Sequence, residues 1–315
     1  MSDDLNQAMI QAMNDKRPVK SRRKKAHKSK KPHHMPVTLR LFRLGFRLGG
    51  ALSPRLAGKL GYRLWFTPMR HKTPASEQAA LQAATVEQHK INQQTITCYH
   101  WGDSGPTVLL VHGWSGRGTQ LGAFAAPLVD AGYRVLSFDG PAHGQSSGKQ
   151  TNLYEFADTI LALREHYGEF DSVITHSFGG PCMAVAMQRG LTTKRVVSIS
   201  PPADAEGLVK KFTATLTIPA KAEQDMLRRI ETDFGADIWQ KISMQHTVRD
   251  LEIPALVIHD EHDSDVSWQE GESVARAWNN ARFIKTSKLG HRRILRDPAT
   301  IETAVNFIKM GLVEG

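Results

Sequence analysis

Residues 171–180 read Asp-Ser-Val-Ile-Thr-His-Ser-Phe-Gly-Gly and hold a group able to do covalent chemistry. Val173 and Ile174 lead into Ser177, two glycines follow, and a helix-compatible stretch begins at Met183. That order predicts strand, sharp turn and helix, with the serine at the apex and its side chain above the sheet. An ordinary strand-to-helix turn in a parallel sheet is the competing reading of this stretch taken alone. A serine hydroxyl is a weak nucleophile at neutral pH and needs a base, itself oriented by an acid. Two later loops supply such groups. Asp263 ends the run Ile258-His-Asp-Glu-His-Asp263, just past an apolar segment, and His291 follows Lys288-Leu-Gly. The order along the chain is nucleophile, acid, histidine. Asp265, in the same loop as Asp263, is the alternative acid.

Groups so far apart in sequence meet only if a sheet ends its strands side by side. Residues 95–101 alternate like a half-buried antiparallel strand, and residues 102–106 read as a turn. Residues 107–112 form a continuous apolar run suited to burial on both faces. A helix is expected over 120–131, a strand over 133–138, a helix near 152–167 and a strand over 195–199. Alternation resumes with a strand at 253–259, a helix near 268–278, a short strand at 282–285 and a last helix from 298 to 310. This pattern predicts an α/β fold with a mostly parallel, doubly wound sheet begun by antiparallel strands. Ligands of such sheets sit beyond the carboxyl ends of the strands, where Ser177 lies. Pro201-Pro202 interrupts the alternation, and residues 201–250 read as a helical cap insertion, with Leu227, Ile230, Phe234 and Ile238 at helical intervals.

The chain has 315 residues, 40% of them hydrophobic, which suffices for one large α/β domain with appendages. Its net charge of +10 is uneven. Residues 1–72 hold 18 of the 41 basic residues and 3 of the 31 acidic ones, leaving 23 basic and 28 acidic residues downstream. Three sections follow: a disordered basic tail over 1–35, an amphipathic helical segment over 36–83, and the α/β domain over 84–315. In residues 37–50, Arg40, Arg43 and Arg47 share one helical sector and Leu39, Leu41, Phe42, Leu44, Phe46 and Leu48 fill the rest. Arg55, Lys59 and Arg63 repeat this at a spacing of four. Residues 16–64 therefore fit an anionic membrane surface, and nucleic acid is the weaker partner. Packing of these helices on the main domain, with the arginines in water, is the alternative. The tail lacks the apolar core of a secretory signal, and Cys98 and Cys182 form no disulfide or metal spacing, so a cytoplasmic location, peripheral on the membrane, is expected.

The serine elbow, the order Ser, Asp, His and a His-Gly step after an early strand together resemble the α/β-hydrolase fold family, over about residues 84–312. The resemblance implies that Ser177 is the nucleophile, His291 the general base and Asp263 the acid of the pattern Asp260-Glu-His-Asp263-Ser-Asp-Val266. It implies oxyanion-hole donors at the backbone N–H groups of Trp114, in His112-Gly113-Trp114, and of Phe178. Asp139-Gly-Pro-Ala-His-Gly144-Gln-Ser146 looks like the family's structural turn after the following strand. The implied activity is hydrolysis of a carboxylic ester without metal or organic cofactor; the amphipathic N-terminus alone extends this expectation to lipid-like esters. Thr175, Ala142 and Asp260 stand where the family has glycine.

Two rivals remain. The same triad serves thioester, lactone or amide cleavage and acyl transfer to an alcohol, because fold and triad do not specify substrate. A membrane- or nucleic-acid-tethered interaction protein would use the fold without catalysis. Arg117 and Arg292 are candidates for contact with an anionic substrate, or for pairing with local carboxylates such as Asp297. His112, His143 and His176 are expected to pack or to stabilise loops, since one general base suffices. His259 and His262 flank Asp260 with no third ligand at zinc spacing.

Overall fold

A computed structural model of the protein describes residues 37–313. The tail expected over 1–35 lies outside the described residues. The apolar runs form one sheet, with strands β1 (Thr85–Ile91), β2 (Gln94–Trp101), β3 (Thr107–Val111), β4 (Arg134–Phe138), β5 (Phe170–His176), β6 (Arg195–Ile199), β7 (Ala255–Asp260) and β8 (Ala281–Thr286). Their order across the sheet is β1-β2-β4-β3-β5-β6-β7-β8. β1 pairs antiparallel with β2, and β2 with β4; from β4 onward every pairing is parallel. The chain leaves β3 for β4 on one side and returns to β5 on the other. The carboxyl ends of β3 and β5 therefore flank the topological switch point, where a crevice opens in sheets of this kind.

The helices in chain order are α1 (Val37–Leu52), α2 (Pro54–Trp65), α3 (Ala75–Gln82), α4 (Ala125–Asp130), α5 (Leu153–Tyr167) and α6 (Gly179–Gln188). The cap follows as α7 (Ala205–Leu216), α8 (Ala220–Phe234), α9 (Ile238–Ile242) and α10 (Met244–Thr247). The last are α11 (Trp268–Ala277), α12 (Gly290–Arg293) and α13 (Pro298–Val313). Local chemistry sets several boundaries. Ser53 caps α2 through the Leu56 N–H and Pro54 opens its first turn, which separates α1 from α2. Asn152 accepts from the Glu155 N–H at 3.0 Å and donates back to the Glu155 carboxylate at 3.1 Å, fixing the start of α5.

Both faces of the parallel strands are apolar, so successive residues feed two cores. Leu109, Val111, Val173, Val196 and Val257 meet Phe156, Ile160 and Leu163 of α5, Met183 of α6 and Val274 of α11. Val108, Leu110, Ile174, Val197 and Ile258 meet Leu128 of α4 and Ala304, Phe307 and Ile308 of α13. The helix expected over 120–131 is divided: Gly118–Phe124 is a 3-10 helix and only α4 is α-helical. The N-terminal helices pack on the cap. Phe46 and Ala57 join Ile218 and Ala222 in one cluster, and Gly58 lets α2 approach the Ala222 carbonyl and Asp225 of α8.

Candidate active site

Ser177 follows β5 and precedes α6, in the strand-turn-helix expected for it. Its φ is +52°, a left-handed conformation that disfavours a non-glycine residue by about 1–3 kcal/mol. Hydrogen bonds hold it there: the Ser177 N–H donates to the Ile199 carbonyl at 2.9 Å, and its carbonyl accepts from the Gly180 N–H at 2.9 Å. The crossing of strand and helix requires glycine next to it. A Cβ on Gly179 would lie 2.5 Å from the Val111 carbonyl oxygen, and one on Gly113 would lie 3.0 Å from the Ser177 Cβ. Thr175 fits in place of a glycine because its hydroxyl turns toward β6 and donates to Ser198 Oγ at 3.0 Å.

Gly113 brings the loop after β3 against Ser177, and His112 sets that loop's orientation. The Gly140 N–H donates to His112 Nε2 at 2.9 Å, so the ring proton is on Nδ1, which donates to the Gly113 carbonyl at 2.7 Å. The same carbonyl accepts from the Gly116 N–H at 2.9 Å. The peptide unit whose carbonyl is held twice is the one that carries the Trp114 N–H, and polarising one end strengthens the donor at the other. Burial pulls the His112 imidazole down to about 4, which keeps it neutral in this role. The Phe178 N–H begins α6, where helix N–H groups lack intrahelical partners and the dipole is positive.

The candidate acid and base come from the ends of β7 and β8. His291 Nδ1 lies 2.7 Å from Asp263 Oδ2, and both side chains are shielded from solvent. Asp263 Oδ1 accepts from the N–H groups of Asp265 at 2.8 Å and Val266 at 2.9 Å. Burial works against the Asp263 charge, but hydrogen bonds from His259, His291 and Val266 outweigh it and hold the carboxyl well below the usual carboxylate range. Asp265, the alternative acid, points to the surface and pairs with Arg292 at 3.3 Å.

Two supporting groups escaped the sequence reading. Asp260, noted there only as a missing glycine, is buried and accepts from Leu289 N–H at 3.0 Å, Gly290 N–H at 2.9 Å and Thr286 Oγ1 at 2.9 Å. It also accepts from the His262 N–H at 2.9 Å, so one carboxylate braces both the acid loop and the histidine loop. The donors lie up to 30 residues away, and no local pattern announces them. His259, weighed only as a metal ligand, shares its Nε2–H between the Val266 carbonyl at 3.1 Å and Asp263 Oδ2 at 3.4 Å. His176 donates from Nε2 to the His291 carbonyl at 2.9 Å, with ring centroids 4.6 Å apart. Burial and the neighbouring His291 pull His176 well below its usual value, so it is a neutral packing partner.

Ser177 opens into a cavity of about 240 Å³ whose wall is almost entirely apolar. Trp114 and Phe178 line it, so the two residues expected to act through their backbones also contribute side chains, in edge-to-face contact at 5.1 Å. The roof is Leu208, Ile230, Phe234, Ile238, Trp239 and Ile242 of the cap, and Trp65 and Phe66 at the end of α2 close one side. Arg117 and Arg292 do not line this cavity. Arg117 donates to both oxygens of Glu77 at 2.8 Å, pinning α3 to the 3-10 helix. Among the described residues no group of three His, Cys, Asp or Glu stands at metal-holding geometry.

A family model described as the alpha/beta hydrolase family matches residues 108–304. The chain belongs to the alpha/beta hydrolase family. Curated relatives match this chain over shorter stretches. The dihydrolipoyllysine-residue acetyltransferase component of the acetoin cleaving system of Pseudomonas putida is 35% identical over 103 residues, 31% of this chain and 27% of that protein. An esterase of Mycobacterium tuberculosis is 28% identical over 109 residues, 33% of this chain and 36% of that protein. The chain thus spans about a third of the length of these relatives. Solved structures repeat the fold at low identity. A bacterial membrane phospholipase A superposes with a TM-score of 0.58 at 18% identity, covering 87% of this chain and 98% of its own. Mouse alpha/beta hydrolase domain-containing protein 10 superposes with a TM-score of 0.57 at 16% identity, covering 73% and 99%.

Proposed function

We propose that this protein is a serine hydrolase that cleaves carboxylic esters of short to medium acyl chains through Ser177, His291 and Asp263. One observation carries the reading: an imidazole held at 2.7 Å by a buried carboxylate, on the same sheet edge as a strained serine that opens into an apolar cavity. In this reading Ser177 Oγ attacks the acyl carbonyl carbon and passes its proton to His291 Nε2. Asp263 fixes the Nδ1–H tautomer and stabilises the imidazolium. The Trp114 and Phe178 N–H groups donate to the tetrahedral oxyanion, an effect of about 3–4 kcal/mol for each donor. His291 returns the proton to the leaving alkoxide, an acyl-enzyme remains, and water activated by His291 releases the acid. A cavity of about 240 Å³ is smaller than the roughly 300–1,000 Å³ of sites for drug-sized ligands, which favours a compact acyl group. The Mycobacterium tuberculosis relative, an esterase, agrees with this class.

A fluorophosphonate probe and p-nitrophenyl esters of graded chain length test the reading, with thioester and amide analogues alongside. The wild type labels and turns over esters, and Ser177→Ala abolishes labelling and lowers kcat/KM at least about a thousandfold. Wild-type protein that neither labels nor hydrolyses any ester overturns the proposal. Turnover confined to thioesters or amides reassigns the substrate class.

A further inference from the structure

Helix α1 touches the rest of the protein along one edge. Phe46 is buried against Ile218 and Ala222, a side chain on Gly50 would strike Pro219, and Arg43 Nε donates to the Thr215 carbonyl at 2.8 Å. Advancing about 100° per residue, the positions across the helix from Phe46 are Leu41, Leu44, Leu48 and Leu52. These leucines are 63%, 54%, 60% and 88% exposed, so packing on the cap accounts for none of them. On α2 the packing edge is Ala57, Gly58 and Gly61, and Leu56 and Leu60 remain exposed. Arg40 and Arg47 stand beside the leucine stripe of α1, and Arg55, Lys59 and Arg63 are exposed on α2. Neither helix carries an acidic residue.

We propose that α1 and α2 form a docking surface for an anionic lipid bilayer. They lie in the interface, with the leucines among the acyl chains and the arginines and lysine at the headgroups. The charge pattern selects this occupant. A second copy of the chain would bring two sets of basic residues together with no acid between them. Nucleic acid complements the charge but offers no apolar phase to the leucines. A bilayer with anionic headgroups satisfies both, and binding grows with buried apolar area and with each basic residue near the surface. No described helix is long and apolar enough to cross a membrane, so this is a surface mode. The proposal stands apart from the ester-hydrolase reading, and its readout is binding.

Full-length protein is sedimented with vesicles of phosphatidylcholine alone and of phosphatidylcholine mixed with phosphatidylglycerol, at low and high salt. The wild type pellets with the mixed vesicles and is released by salt. The double variants Leu44→Gln/Leu48→Gln and Arg40→Gln/Arg47→Gln each lower the partition coefficient at least about tenfold, with circular dichroism and thermal unfolding unchanged. Failure of the wild type to bind the mixed vesicles overturns the proposal. So does full binding by the leucine variant, which would assign attachment to other basic residues. A dimer in sedimentation velocity that the leucine variant abolishes, or retention on duplex DNA, in place of vesicle binding overturns it in favour of those occupants.

Discussion

At Asp263 one carboxylate oxygen faces the histidine and the other serves the acid's own loop. In Asp263→Asn, the backbone donors of Asp265 and Val266 keep the amide oxygen, and the amide NH₂ turns toward His291. Nδ1 must then accept, Nε2 carries the proton, and the base is lost while the loop is retained. We expect kcat on esters to fall about ten-thousandfold with near-native unfolding behaviour; steady-state kinetics beside urea denaturation reads both. A second prediction belongs to His112. Its folded-state value of about 4 lies below the 6.5 of an unfolded histidine. Between those values the unfolded chain takes up a proton that the native protein refuses, so stability falls as pH falls. The full drop is roughly 3 kcal/mol, read as a decline in urea midpoint from pH 7 to pH 4 that His112→Gln reduces. Ser177, Asp263 and His291 were legible because each ends or follows an apolar run in a fixed order. Asp260 was not, because its donors come from a different strand and loop, and sequence neighbours say nothing of them.

At the scale of elements, the elbow depends on how closely α6 crosses β3. Gly179→Ala places a methyl carbon 2.5 Å from the Val111 carbonyl oxygen, and a backbone oxygen in a central strand cannot retreat. We expect a loss of more than about 2 kcal/mol, measured by urea denaturation; unchanged stability would show that the helix can shift. The buried parallel strands were readable from sequence because burial on both faces leaves continuous apolar runs such as residues 108–111. β1 was not delimited, since it lies at the sheet edge and is exposed along most of its length. A solvated edge imposes little alternation. The 3-10 start of the segment before α4 was also missed. There the Gly118 N–H is held at 2.6 Å by the buried Asp139 carboxylate, so a tertiary contact sets the local winding.

For the whole molecule, the cavity is assembled from sheet loops, cap and N-terminal helix, and its depth is set at the cap. Ala205 lines it at the first turn of α7. We expect Ala205→Phe to lower kcat/KM for the longer esters at least about tenfold while acetyl esters are spared, read as a shift in the chain-length profile. Equal losses on all chain lengths would place Ala205 outside the acyl path. The cap helices were foreseen from the spacing of Ile230, Phe234 and Ile238, but the contribution of α2 was not, because its close approach to the cap runs through Ala57, Gly58 and Gly61, which carry almost no hydropathy signal. Only its last turn brings Tyr62, Trp65 and Phe66 against the cap. Trp65 and Phe66 have a further consequence for inheritance. The family match begins at residue 108, so two aromatic walls of the pocket belong to a segment that a relative can change without altering anything the family shares. On the proposed ester-hydrolase reading, exchanging residues 37–83 for the corresponding segment of a relative is expected to shift acyl preference while leaving the chemistry of the sheet loops in place.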